Sequence, residues 1–111
     1  MKKIYLATPY SHDDPLIREA RFNAVNKAAA RLMSQGYLVF SPISHTHPIA
    51  LAGDLPKGWD FWEEYDREFV KWADELCVLT LDGWRDSTGV TAEIKIAAQY
   101  GMLITYMEAV V

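Results

Sequence analysis

Short apolar runs alternate along this chain with longer segments in which apolar residues recur at helical spacing, and this alternation constrains the fold more than any other feature. The runs with the length and composition of strands are residues 3–7, 37–40, 76–81 and 102–106. The first two are closely followed by proline, which has no N–H to offer a central sheet ladder. The third is almost entirely apolar, which predicts a strand buried on both faces of a parallel sheet.

Strands that alternate with helices in this way predict an α/β domain. The 111 residues are fewer than the roughly 150 of a typical domain, so residues 1–111 are expected to fold as one unit. Right-handed crossovers predict a flavodoxin-like or Rossmann-like three-layer sandwich. We expect a parallel sheet of four strands in the order 2-1-3-4, with a fifth strand as an option, and a switch point between strands one and three.

The first helix is predicted from Asp14 and Pro15, a capping residue followed by proline at the first helical position, and its end from Gly36. The apolar stripe of this helix is Phe22, Val25, Ala28, Ala29, Leu32 and Met33. After the second strand, the segment 41–58 is rich in Pro, His and Gly, and it is predicted to be a long loop that is functional or mobile.

Two further helices are predicted in the second half of the chain. Asp60 and Glu63 resemble a capping box at the start of one of them. The apolar residues at helical spacing in this helix are Phe61, Tyr65, Phe69 and Trp72. The other helix follows a polar turn at 82–88 and is expected to end at Gly101. Its inward residues are predicted to be Val90, Ile94, Ala97 and Ala98.

Charge and cysteine content exclude several classes of protein. With 11 Lys and Arg against 15 Asp and Glu the net charge is −4, so a polynucleotide partner is not expected. No apolar run approaches the roughly 20 residues of a membrane span, and the first residues do not resemble a signal peptide. Cys77 has no second cysteine to pair with and is expected in the core. We therefore expect a cytoplasmic protein without a membrane partner.

Ligands of open parallel sheets bind beyond the carboxyl ends of the strands, at the switch point. The loops after strands one and three should therefore carry the site, with the segment after strand two beside them. The candidate substrate-binding residues in these two loops are Thr8, Pro9, Tyr10, Ser11, His12, Gly83, Trp84, Ser87 and Gly89. Ser87 precedes a helix, where it is either a plain N-cap or part of an anion site.

Acidic and basic residues near these loops leave more than one interpretation open. Glu93 lies on the margin of the buried face of the last helix, so it points either into solvent or toward the crevice. Asp66 and Asp74, taken by spacing alone, are interpreted as solvated acids. Arg18 and Arg21 either reach an anion in the crevice or, slightly favoured, pair with nearby acids on the surface.

All three histidines, His12, His45 and His47, fall in segments at the carboxyl side of strands. A metal site is one hypothesis, because histidine is the commonest metal ligand. No carboxylate or cysteine accompanies them at a recognisable ligand spacing, so hydrogen bonding to a substrate or anchoring of the loop is favoured. We expect neither a metal nor another cofactor.

Three segments taken together resemble the nucleoside 2-deoxyribosyltransferase-like superfamily, and within it a set of small bacterial and phage proteins. They are residues 4–10, Asp66 placed eight residues before Asp74, and residues 83–89 followed by Glu93. The resemblance also includes the segment Phe-Ser-Pro-Ile-Ser-His at 40–45 and covers essentially the whole chain.

This resemblance implies roles for particular residues. Glu93 matches the family's catalytic nucleophile, which attacks the anomeric carbon of a deoxyribosyl group. Tyr5 matches a tyrosine that orients the glutamate, and Asp66 an aspartate that contacts the base or assists its protonation. Ser87 matches a serine that binds the 5′-phosphate in the related 2′-deoxynucleoside 5′-monophosphate N-hydrolases, where transferases carry aspartate. The arginine-containing phosphate loop of those hydrolases is absent here, and Asp86 disfavours an anion.

The resemblance therefore implies an enzyme that cleaves an N-glycosidic bond or transfers deoxyribose, acting on a 2′-deoxynucleoside or its 5′-monophosphate. A module that binds nucleotides without catalysis is the alternative, and a histidine metal site is the third hypothesis. A chain this short has little material to close a pocket, and its aromatic content exceeds what one small core needs. We expect a homo-oligomer, with interface candidates Phe61, Trp62, Tyr65 and Phe69.

Overall fold

A computed structural model describes residues 1–56 and 58–110 of the chain. The strands are β1 (Lys3–Ala7), β2 (Leu38–Phe40), β3 (Glu75–Leu79) and β4 (Leu103–Met107). The helices are α1 (Pro15–Ser34), α2 (Pro42–Gly53), α3 (Trp59–Trp72) and α4 (Thr88–Gln99), and a single 3₁₀ turn spans Trp84–Asp86. Within the described ranges, no helix has both the length and the apolar character needed to cross a membrane.

The four strands form one parallel sheet in the order β2-β1-β3-β4, which confirms the predicted topology. In the register of this sheet Tyr5 lies between Phe40 on β2 and Leu76 on β3. All residues of β3 are buried, as its apolar sequence predicted. β3 ends two residues earlier than expected, because the amide of Leu81 turns back to the carbonyl of Leu79 at 2.9 Å.

Alternating side chains of the sheet supply two apolar cores, one on each face, and these give the three layers of the sandwich. On one face Tyr5 and Val78 pack with residues of α3 and α4, including Val70 and Val90. On the other face the core is made by Ile4, Leu6, Cys77 and Leu79 against Val25, Ala28 and Ala29 of α1. The core position predicted for Cys77 is confirmed.

The ends of α1 confirm the signals in its sequence. The carboxylate of Asp14 accepts a hydrogen bond from the amide of Leu16 at 2.9 Å, and Pro15 occupies the first turn. Gly36 follows the helix with φ +94°, a conformation in which a side chain would be strained. The prediction that Met33 belongs to the inward-facing apolar stripe of α1 is wrong, since 54% of this residue is exposed.

The prediction of a long loop at 41–58 is wrong, because most of this segment forms helix α2. Ser41 has an extended backbone, and Pro42 follows at the first helical position, where its missing N–H costs nothing. Pro48 lies inside the helix and removes one helical hydrogen bond. The buried side chains of Thr46 and His47 hold α2 against the domain, so tertiary contacts override a composition that favours a loop.

Two details of the other helices also differ from the predictions. α3 begins at Trp59 with Gly58 as its N-cap and without a side-chain cap, so Asp60 and Glu63 form no capping box. In α4, Ala98 was predicted to face inward but is exposed, and Ile96 is buried instead. The inward face of α4 is therefore centred on the side that also carries Glu93.

Candidate functional site

A cavity of about 370 Å³ lies beyond the carboxyl ends of β1 and β3, where the strand order reverses. It brings together eight of the residues proposed from the sequence: Thr8, Tyr10, Ser11, His47, Asp66, Ser87, Gly89 and Glu93. Residues from α2, α3 and the start of α4 complete its walls. The topological rule for ligand sites in parallel sheets therefore gives the right location for a cavity in this protein.

Glu93 is 3% exposed and lines the cavity, so the solvent-facing alternative for its side chain is wrong. The hydroxyl of Tyr5, which is fully buried at the centre of β1, donates a hydrogen bond to Oε2 of Glu93. Burial raises the pKa of Glu93 well above its usual range, the nearby charge of Asp66 raises it further, and the bond from Tyr5 opposes both. Tyr5 thus fixes the orientation of the Glu93 carboxyl group.

Asp66 on α3 is 6% exposed and lines the same cavity, so its interpretation as a solvated acid is wrong. Its Oδ1 atom has no hydrogen-bond partner among residues 1–56 and 58–110. Desolvation raises the pKa of Asp66 from 3.8 to about 7. A carboxyl group with this pKa can give up or take a proton near neutral pH, which is the requirement for a general acid or base.

Together Glu93 and Asp66 form a pair of buried carboxyl groups whose charges repel. The charge of Asp66 raises the pKa of Glu93, whereas the hydrogen bond from Tyr5 favours the ionised form of Glu93. Two buried carboxyl groups, one of them oriented by Tyr5, therefore line the same cavity.

On the opposite side of the cavity, His47 of α2 joins Tyr10 to Glu19 of α1. Its Nδ1 is hydrogen-bonded to the hydroxyl of Tyr10, and its Nε2 lies 3.1 Å from Oε2 of Glu19. The imidazole is 6% exposed and stacks on the ring of Phe22, with ring centroids 4.2 Å apart. Desolvation raises the pKa of Tyr10. Side chains of α1 and α2 therefore fix the position of the Tyr10 hydroxyl.

Ser87 acts as the N-cap of α4, because its Oγ accepts a hydrogen bond from the amide of Val90 at 3.2 Å. The prediction that Ser87 is an N-cap is therefore confirmed. The hydrogen of its hydroxyl group can still be donated to a ligand. Ser87, Thr88 and Gly89 all line the cavity, and so does the carboxylate of Asp86. The N-terminus of α4 and an acidic side chain thus face the same space.

Several predicted site residues lie outside this cavity. Gly83 and His12 line a second cavity of about 750 Å³, and Nδ1 of His12 accepts a hydrogen bond from the amide of Asp14. Pro9 is fully buried beside Thr8. His45 is exposed and packs against Phe40, and Trp84 packs against Tyr106 and the core.

Within the described residues, Arg18 and Arg21 of α1 do not form ion pairs with the acids beside them. Arg18 donates to the backbone carbonyl of His12. Arg21 donates to the carbonyls of Ser11 and Asp82, both at 3.0 Å, and so ties the loop after β1 to the loop after β3. The interpretation that Arg18 and Arg21 pair with nearby acids is wrong, because their guanidinium groups donate to backbone carbonyls of the two loops instead.

No three His, Cys, Asp or Glu side chains meet in a cluster that could hold a metal ion, as far as residues 1–56 and 58–110 are concerned. The three histidines that suggested such a site are dispersed. His12 lies at the second cavity, His45 faces solvent, and only His47 reaches the first cavity.

Comparison with known proteins identifies a family but no activity. The family model for a domain of unknown function, DUF1937, matches residues 2–109. The chain belongs to this family. No curated protein has significant sequence similarity to it. What this DUF1937 domain does must therefore be argued from the cavity itself.

Residues that sequence reasoning missed in this DUF1937 domain come mainly from α2 and the start of α3. They are Pro42, Ile43, Thr46, Ala50, Pro56, Gly58, Trp59 and Trp62. Trp62 was considered only as an interface residue, yet it lines the cavity, and its indole N–H donates to the carbonyl of Pro56 at 2.8 Å. The sequence signal for such a wall was an aromatic content that exceeds what one small core needs.

Proposed function

We propose that this protein cleaves the N-glycosidic bond of a 2′-deoxynucleoside or its 5′-monophosphate and passes the deoxyribosyl group to water or to a second base. The observation that carries the proposal is the buried hydrogen bond from Tyr5 to Glu93 at the wall of the cavity. Retaining glycosyl chemistry requires an oriented carboxylate as the nucleophile and a second carboxyl group as the acid. The resemblance of the sequence motifs to nucleoside deoxyribosyltransferases supports the same assignment.

In the first step, the carboxylate of Glu93 attacks C1′ of the sugar and forms an ester bond. The bond from C1′ to the base nitrogen breaks, its electron pair stays on the base, and Asp66 supplies a proton to the base. Tyr5 holds the attacking carboxylate through its hydroxyl. The developing positive charge on the sugar is stabilised by the same carboxylate, in a site from which burial excludes most water.

In the second step, a water molecule or the N–H of another base attacks C1′. The ester bond breaks with its electron pair returning to Glu93, and Asp66, now ionised, accepts the proton of the attacking group. Both residues are back in their starting protonation states. The pKa of about 7 for Asp66 suits a group that must donate a proton in one step and accept it in the next.

The two substrate forms differ at the 5′ position, for which the N-terminus of α4 is the natural binding partner. Backbone N–H groups at a helix N-terminus favour a phosphate or a hydroxyl oxygen. Asp86, which lines the same cavity, opposes a phosphate through its charge. The ratio of rates for a nucleoside and its monophosphate therefore reports which of these two influences is larger.

The test is release of free base from a panel of four common 2′-deoxynucleosides and their 5′-monophosphates, measured by liquid chromatography. Wild-type protein should release base from at least one of them, and a stopped reaction should contain protein heavier by one deoxyribosyl group, with the adduct on Glu93. Absence of base release from every member of the panel, at protein concentrations comparable with substrate, would contradict the proposal.

A non-catalytic nucleotide-binding module is the second candidate, and one observation favours it. Burial raises the pKa of Glu93, which disfavours the ionised form that a nucleophile requires. This candidate predicts that a deoxynucleoside or its monophosphate raises the melting temperature while no base is released after long incubation. Base release in the panel would exclude it.

We propose further that the protein is a cytoplasmic homo-oligomer whose copies meet along α3. Four aromatic rings contact one another in succession there, with neighbouring centroids 4.9, 5.6 and 5.0 Å apart and edge-to-face or tilted planes: Phe61, Trp62, Tyr65 and Phe69. Phe61 is 48% exposed. Light scattering after size-exclusion chromatography should give a dimer or tetramer, and Phe61→Lys should shift it to smaller species. A wild-type monomer would contradict the proposal.

A further inference from the structure

The hydrogen-bonded chain of Glu19, His47 and Tyr10 has no part in the reaction proposed above, although it reaches the cavity. Glu19 lies on α1, His47 on α2, and Tyr10 in the loop after β1. Both Tyr10 and His47 line the cavity, whereas the side chain of Glu19 is 54% exposed. The chain therefore runs from the solvent to the wall of the cavity.

The direction of these hydrogen bonds follows from the chemistry of the three groups. An ionised carboxylate only accepts hydrogen bonds, so Nε2 of His47 must carry the proton that is shared with Glu19. In the neutral imidazole, Nδ1 then has a lone pair and can only accept. Tyr10 must therefore donate its hydroxyl hydrogen to Nδ1. The phenol oxygen is left with lone pairs and no hydrogen to offer to the cavity.

We propose that Tyr10 is a specificity-determining residue, held by His47 and Glu19 as a hydrogen-bond acceptor that recognises an N–H or O–H donor of the substrate. This inference rests on the proposed function in that the substrate is a nucleoside. The donor is either an exocyclic amino group of the base or the 3′-hydroxyl of the sugar, and both present the same chemistry to the phenol oxygen. A group that only accepts, such as a base carbonyl, is rejected at this position because two acceptors would face each other.

The hydrogen-bond direction can be tested on the free protein by nitrogen NMR of ¹⁵N-histidine-labelled protein, with the His47 signals identified by their loss in His47→Asn. At pH 8 we expect a neutral ring with the proton on Nε2. A neutral ring protonated on Nδ1, or an imidazolium at this pH, would overturn the proposal. This measurement depends neither on a ligand nor on catalysis.

Recognition can be tested by calorimetry in the Glu93→Gln background, where bound nucleoside stays intact. The probes are 2′-deoxyadenosine and 2′-deoxycytidine, their analogues without the amino group, and their 2′,3′-dideoxy analogues. Tyr10→Phe should weaken binding about 10-fold for a ligand that carries the recognised donor and less than about twofold for its analogue without it. The analogue pair that shows this difference identifies the base or the sugar as the source of the donor.

Tyr37→Phe is the matched control, since it removes a phenol hydroxyl that lies outside the cavity lining, and it should leave all affinities unchanged. Equal weakening of every ligand by Tyr10→Phe would overturn the proposal, and so would failure of every nucleoside to bind. Binding that depends on Tyr10 without base release by the wild-type protein would instead overturn the proposed reaction alone.

Discussion

Two buried glutamates lie near opposite ends of the same sheet and have very different surroundings. Glu75 begins β3 and is 8% exposed, but Nζ of Lys2 lies 2.5 Å from its Oε1, and the hydroxyl of Thr105 donates to its Oε2 at 2.5 Å. Glu93 faces the carboxyl end of the sheet with Tyr5 as its donor and with Asp66, another acid, as its neighbour. One carboxylate is neutralised, and the other is placed beside a like charge.

The difference shows which buried charge is structural. A buried carboxylate costs free energy unless it is paired, and Glu75 has a cation and a hydroxyl that meet this cost. Glu93 and Asp66 have no cation beside them among the described residues; burial raises the pKa of both, that of Asp66 to about 7, and both line a cavity. An arrangement that does not favour stability is expected at functional sites. The following predictions test this contrast.

The largest effect is expected for the nucleophile. Glu93→Gln should lower the rate of base release by at least about 10³-fold, because an amide does not attack C1′. The variant should be at least as stable as the wild type at pH 8, since it removes a group whose ionised form burial disfavours. Glu75→Gln is the matched control and should keep base release within about threefold of the wild type. Equal loss of activity in both variants would break the contrast.

Asp66 is expected to control the pH dependence. It donates a proton only while protonated, and its pKa is about 7, so base release should fall as the pH rises through about 7. Asp66→Asn should lower the rate about 10²-fold at pH 6 and remove this decline. A pH profile from 5 to 9 for both proteins checks this, and an unchanged decline in the variant would assign it to another group.

The same shift in pKa has a defined effect on stability. Between pH 3.8 and about 7 the folded protein keeps on Asp66 a proton that the unfolded chain releases. The free energy of unfolding should therefore decrease as the pH rises through this window. Urea denaturation of the wild type and Asp66→Asn at pH 5 and 7.5 measures the difference, and the variant should lose less stability between these two values.

A smaller effect is expected for the residue that orients the nucleophile. Tyr5→Phe keeps the buried ring and removes the hydrogen bond to Glu93. The rate of base release should fall about 10-fold through kcat, with KM little changed, because the carboxylate is less well oriented and harder to ionise. Steady-state kinetics separates the two parameters. A change confined to KM would instead place Tyr5 in substrate binding.

The smallest effect is expected at the other end of the sheet. Glu75→Gln should lower the free energy of unfolding by about 1 kcal/mol, because Lys2 is partly exposed and stays hydrated after losing its partner. Urea denaturation checks this value. If the variant were as stable as the wild type, the ion pair between Lys2 and Glu75 would not stabilise the fold, and Glu75 could not be called the structural member of the two glutamates.

Much of the fold could be predicted from the sequence because its signals are local. The alternation of strands and helices gave the sheet order, and Asp14 with Pro15 gave the start of α1. The α2 helix could not be predicted, because Pro, His and Gly favour a loop, whereas the burial of Pro42, Thr46 and His47 against the domain is a tertiary effect. The capping box at Asp60 failed because Gly58 takes the N-cap position instead.

The sequence by itself determined the layered α/β architecture and the edge of the sheet where the cavity lies, since both depend on periodicity and on the handedness of crossovers. Only the tertiary structure decided which polar residues meet there. Asp66 and Glu93 are 27 positions apart by their numbers, and His47 joins Tyr10 to Glu19 across three separate segments. Burial, which sets the pKa of these groups, depends on all the elements packed around them and cannot be deduced from local sequence alone.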